Sequence, residues 1–166
     1  MAASARDDQR MRHNPKQVLG LITLAIVSIA VVGLMSTMLP PAIDWHTAFR
    51  PAALELMAGR SPYDVEGYFN VPWALLPLIP MALLPENIGR AVLAFLSLAA
   101  YTYVARRLGA KPPATALLLV SPPVLHGLLN GNIDWLAALG FTLPPQIGLL
   151  FIAAKPQMGI AVGLYW

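Results

Sequence analysis

The sequence predicts an all-α fold: a polytopic transmembrane helix bundle with short, proline-broken helices and an exterior amphipathic helix. Three observations carry that expectation. Of 166 residues, 57% are hydrophobic and 11% charged, against about 25% charged in an average soluble domain. The charges are also confined: residues 18–43 carry none, and residues 91–166 carry only Arg106, Arg107, Lys111, Asp134 and Lys155. Finally, 16 prolines fall mostly at the ends of apolar runs or inside them, a pattern that membrane helices tolerate because neighbouring groups re-satisfy the freed carbonyls. With no cysteine, neither a disulfide framework nor a thiolate zinc site is available. The net charge of +3 does not indicate nucleic acid, because the basic residues flank apolar spans instead of gathering on one face.

Residues 1–17 read as a basic cytoplasmic tail, with Arg6, Arg10, Arg12 and Lys16 outweighing Asp7 and Asp8. Next comes "VLGLITLAIVSIAVVGLMSTML", residues 18–39, which meets the roughly 20 residues needed to cross a roughly 30 Å hydrocarbon core. A cleaved signal peptide would carry a shorter apolar region, so an uncleaved span is expected. The positive-inside rule then keeps the N-terminus cytoplasmic and sets residues 40–72 on the exterior face of the cell membrane. Within that loop, Phe49, Ala52, Ala53, Leu56 and Met57 share one helical face. Pro51 suits a first turn and Gly59 a C-terminal stop. The expected element is a short amphipathic helix lying in the interface plane.

Residues 73–166 form the proline-broken part. "NVPWALLPLIPMALLP", residues 70–85, is short and interrupted, and reads as a broken or re-entrant helix. Residues 91–111 are expected to make a second full span that returns Arg106, Arg107 and Lys111 to the cytoplasm. Residues 112–132 would cross back as a short span interrupted at Pro122 and Pro123, followed by two half-length pieces split at Pro144 and Pro145. The run that starts at Lys155 reaches Trp166 without a polar tail, which predicts either a piece of a longer protein or an end packed against a partner membrane chain.

The polar residues at the ends of these runs are the candidate site. Asp44 can serve as a general base or cation ligand at the lipid–water boundary, near His46, Asp64 or Glu66; it can equally cap the helix that follows. His46 and His126 lack metal-ligand spacing and read as interface or packing histidines. No metal site is therefore assigned, and a divalent cation is left open as a cofactor. Asn130, Asn132 and Asp134 cluster beside Gly131. They form either a polar site at membrane depth or an Asn-Gly turn with Asp134 capping the next helix. Lys155 is the sole charge in residues 135–166, and can snorkel to an interface or pair with a buried anion such as a lipid phosphate.

Taken in order, exterior Asp44, "ALELMAGRSPYD", "VPWALLPLIPMALLP", the Gly131-Asn132 pair and "KPQ" at 155–157 resemble the GT-C membrane glycosyltransferases. The similarity is to the polyprenol-phosphate-mannose-dependent family 87. The resemblance covers most of residues 44–157, the N-terminal part of such an enzyme, and members of the family are much longer. It implies a transferase whose donor is a sugar on a polyprenyl phosphate presented from the bilayer. Asp44 would be the catalytic base on the acceptor hydroxyl, and Lys155 would meet the lipid-linked phosphate. Asn130, Asn132 and Asp134 would contact sugar or acceptor, with Gln157, His46 and Asp64 as further binding positions. A membrane subunit without enzymatic activity, packing against partner helices, is the competing expectation.

Overall fold

The computed structural model describes residues 15–157 and 159–160; the first 14 residues of the basic tail read over 1–17, together with residue 158 and the run from 161 to 166, lie outside them. Among the described residues all regular structure is helical and no strand occurs. Helix α1 runs Pro15–Met38, α2 Arg50–Met57, α3 Ile79–Ala82, α4 Glu86–Arg107, α5 Pro112–Leu119, α6 Pro122–Asn130, α7 Asp134–Gly140 and α8 Pro145–Ala153. A π-helical stretch, Trp45–Phe49, leads into α2, and 3-10 helices occupy Pro62–Asp64 and Pro72–Leu78. Helices α1 and α4 are long and apolar enough to cross a membrane; α5 and α6, bent by 51° with respect to each other, meet the same test as a pair.

The prolines dictate most of the breaks. Pro122 enters α6 after Ser121 in extended conformation, because the residue before a proline is driven out of the α region. The bend between α5 and α6 therefore falls at the Pro122-Pro123 step singled out in the sequence. Pro72, Pro77 and Pro80 likewise leave residues 70–85 as a 3-10 helix running into the short α3, since each removes one backbone donor. α1 starts at Pro15, three residues inside the segment read as tail. It contains no buried residue, and its Ser36 and Thr37 hydroxyls donate to the carbonyls of Gly33 and Leu34 at 2.7 and 2.8 Å.

The rest packs around Trp45, which is fully buried together with Leu75, Leu78, Leu93 and Ile133. α4 is the central element: it contacts α1, α3, α5, α6 and α7. Gly89 permits one of those approaches, since a Cβ there would meet the Met81 carbonyl and lie 3.2 Å from the Trp45 indole. Arg90 ties α4 to the end of α1 through the carbonyls of Ser36 and Pro40.

The loop helix differs from expectation in what its apolar face touches. Phe49, Ala52 and Ala53 are buried in the protein core, and α2 packs on α3 and the two 3-10 helices. That face is used by neighbouring helices and is not free to lie in a lipid interface; Met57, at its edge, stays exposed. Helical conformation also begins earlier, at Ile43, so Pro51 falls one turn inside. The preceding chain widens to the π form, with the Arg50 amide donating to the Trp45 carbonyl. This spares the proline ring the clash it would make in a regular helix. Gly59 does end the helix, at φ 73°, with the Arg60 amide reaching back to the Glu55 carbonyl at 2.9 Å.

Candidate functional site

Four polar side chains from three distant parts of the chain meet beside the core. The Asn132 amide nitrogen donates to Asp44 Oδ2 at 2.9 Å. Its amide oxygen accepts from Lys155 Nζ at 2.6 Å and from the Ile133 backbone amide at 2.7 Å. Lys155 Nζ also pairs with Asp134 Oδ1. The chemistry fixes the orientation of the Asn132 amide: two donors face its oxygen and a carboxylate faces its nitrogen. The Lys155 and Asp134 side chains retain 14% and 20% exposure, so their attraction is screened far less than a surface pair's.

Local backbone chemistry delivers each member. α6 ends in a left-handed turn at Gly131, φ 70° and ψ 39°. The Asn132 amide bonds the Gly127 carbonyl at 2.8 Å and closes the turn. A Cβ on Gly131 would stand 2.6 Å from the Trp45 Cβ and 3.1 Å from the Ala42 Cβ. Glycine is thus required twice, for its φ and for the close approach that carries Asn132 to Asp44. Asp134 opens α7, and its Oδ2 rests against Gly127, where a Cβ would come within 3.3 Å. Lys155 follows α8, which lies against α7 with Gly140 facing the Gly148 carbonyl at 2.8 Å from a built Cβ.

Both capping alternatives fail. Asp44 is itself in helical conformation, φ −63° and ψ −37°, and makes no side-chain cap hydrogen bond; its carboxylate turns to Asn132. The N-cap of α7 is Ile133, so Asp134 stands one position later, in the first turn, and turns to Lys155. The Asn-Gly turn does exist, and it positions the polar group beside it.

The other candidate residues stay apart. Asn130 pairs with His126 one turn earlier, at 3.0 Å. His46, adjacent to Asp44, instead binds Glu86 Oε1 through Nδ1 at 2.6 Å. Asp64 is exposed near Arg60, and Gln157, also exposed, has no polar partner among the described residues. Glu86 was missed in the sequence. Its position after Pro85 marks a helix start, but nothing links it to a histidine 40 positions earlier. Tyr101, buried on α4 within electrostatic reach of Asp134, was missed for the same reason.

A cavity of about 290 Å³ adjoins the network between α4, the α5–α6 bend and α7, bordered by Tyr101, Val104, Leu118, Ser121, Val124 and Asp134. No group of three His, Asp or Glu side chains converges as metal ligands among the described residues. The donor set does not suit a divalent ion, because Asp134 already holds the Lys155 ammonium. Two carboxylates and one ammonium can instead polarise a hydroxyl at Asp44 and hold an anion at Lys155.

Away from this network, the Tyr68 hydroxyl donates to the Val71 carbonyl at 2.9 Å, and burial raises its pKa well above the usual tyrosine range. The partly exposed Glu55 carboxyl is held below the ordinary glutamate value by its hydrogen bond to Arg60. Comparison with protein-family models, with curated proteins and with solved structures finds no match to this chain.

Proposed function

We propose that this chain acts as a polytopic membrane glycosyltransferase of GT-C type that transfers a sugar from a polyprenyl-phosphate donor on the exterior face of the cell membrane. One observation carries the proposal: Asn132 bridges Asp44 and Lys155, 2.9 Å from one and 2.6 Å from the other. A transferase acting on a lipid-linked phosphate needs a base for the acceptor hydroxyl and a cation for the departing phosphate. Here the two lie one amide apart, among helices apolar enough for a bilayer. Asp44 would take the proton, Lys155 would neutralise the phosphate, and Asn132 would hold both in register.

The test is sugar transfer by membranes bearing the complete protein, supplied with polyprenyl-phosphate sugars. Asp44→Asn preserves the contact with Asn132 in size but removes the base, and transfer is expected to vanish. Transfer at the wild-type rate by that variant overturns the assignment.

A second reading, a membrane subunit without enzymatic activity, draws on a different observation. Trp73, Leu76 and Pro77 face Leu150 and Phe151 of α8 across an apolar groove of about 290 Å³, and such a surface suits a partner helix. Transfer activity in a purified single-chain preparation would count against it.

A further inference from the structure

We infer that Asp134 is an internal counter-ion that occupies Lys155 until an external phosphate group displaces it, so that this carboxylate sets the affinity of the site. The inference rests on the proposed phosphate contact at Lys155 and goes beyond it by assigning a gate. The network holds two carboxylates, Asp44 and Asp134, against one ammonium. A phosphate arriving at Lys155 with Asp134 still in place would meet an excess of negative charge in a poorly screened setting, which raises the cost of binding. Affinity therefore requires that Asp134 can leave.

The surroundings give it somewhere to go. Asp134 borders the cavity of about 290 Å³ that also exposes Tyr101 and Ser121. Tyr101 is 8% exposed, and its hydroxyl has no hydrogen-bond partner among the described residues; the Ser121 hydroxyl is engaged by the Leu118 carbonyl. A carboxylate entering an apolar cavity must find a donor there, and Tyr101 supplies one. Residue 127, being glycine, puts no side chain where a Cβ would stand 3.3 Å from Asp134 Oδ2. Two resting places, Lys155 and Tyr101, thus define the two states between which an anion selects. The ligand class is a phosphate ester or free phosphate; the polar group recognises the charge common to both.

The experiment measures binding of dodecyl phosphate and of inorganic phosphate to the full chain in neutral detergent micelles, with thermal unfolding recorded alongside. Asp134→Asn is expected to tighten binding about tenfold and Lys155→Met to weaken it about tenfold or more, the scale of one partly buried charge contact. The double variant should match Lys155→Met. Tyr101→Phe, which keeps Asp134 but removes its second partner, should weaken binding about threefold. Preference for dodecyl phosphate identifies a lipid headgroup as the ligand, and equal affinity identifies free phosphate.

Unchanged or weaker binding by Asp134→Asn overturns the gate. If that variant loses its unfolding transition, Tyr101→Phe decides, and unchanged binding there overturns it. Lys155-dependent binding without any Asp134 effect leaves the phosphate site standing and removes only the gate. Absence of binding by every form removes both.

Discussion

Among the described residues, two Arg/Lys–carboxylate pairs, Arg60–Glu55 and Lys155–Asp134, share their contact chemistry and differ in how they arise and in how exposed their cations are. Arg60 pairs with Glu55 across five residues at the end of α2, and the arginine side chain is 62% exposed. Lys155 pairs with Asp134 between the ends of two helices, with the side chains 14% and 20% exposed. The local pair follows from a helix ending at Gly59 and closing back on its last turn. The second exists only because α7 and α8 pack together and an amide from the α6–α7 turn joins in. Proximity in sequence gives the first pair its geometry at little cost and leaves it in water, where such pairs contribute little. Tertiary packing gives the second its burial, and burial makes it chemically consequential.

The sharpest way to break the comparison is Gly131→Val. The substitution puts a β-branched residue at φ 70° with its Cβ 2.6 Å from that of Trp45. Backbone strain and overpacking together should cost about 3 kcal/mol, read as a large fall in the thermal midpoint in detergent. The Glu55–Arg60 pair, formed within one turn, should survive any such loss of packing.

A smaller effect is expected from Lys155→Met, which leaves Asp134 without its ammonium. A fully buried pair broken in this way costs about 3–5 kcal/mol; here the residual exposure of both side chains lowers the expectation to about 2 kcal/mol. An unfolding midpoint indistinguishable from wild type would mean that the pair is as solvated as its counterpart on α2.

The smallest effect is expected at Glu55→Gln, with a slight fall in midpoint at neutral pH, far below that of Lys155→Met. Acid should remove what little the pair contributes. The glutamate pKa is depressed in the folded protein by the hydrogen bond to Arg60. Its contribution is therefore present above the unfolded value of 4.5 and is lost as pH falls through the lower folded value. Wild type and variant should differ most above that window and converge below it, as followed by unfolding from pH 6 downward.

The same contrast explains what was legible in the sequence. Asp44, Asn132, Asp134 and Lys155 stood out one by one, since a polar side chain at the edge of an apolar run has few neutral explanations. Gly59 as a helix stop and the break at Pro122-Pro123 were legible too, because both follow from backbone sterics within a few residues. What the sequence did not disclose was pairing. Asp44 and Asn132 lie 88 positions apart, and the reach between them depends on a glycine fitting against Trp45, a residue with no reason to stand out beforehand. Asp44 as a helix cap was a sound local inference that lost to a distant amide. His46, equally conspicuous, was drawn to Glu86 instead of joining its neighbour. The apolar face of α2 was read correctly as a face and wrongly as lipid-facing, because periodicity reports that a stripe will be buried without saying against what.

Helix α1 has no buried residue, whereas α4, the other helix of spanning length, has nearly half of its best apolar window enclosed by the protein. For a chain entering a bilayer during synthesis, this difference sets a timetable. The first helix can be handed to the lipid as soon as it leaves the ribosome, since none of its residues relies on a later helix for burial. α4 has only half its surface suited to hydrocarbon and must wait for α6 and α7 to cover the remainder. The polar network, in turn, cannot close before Lys155 has been translated and α8 lies against α7.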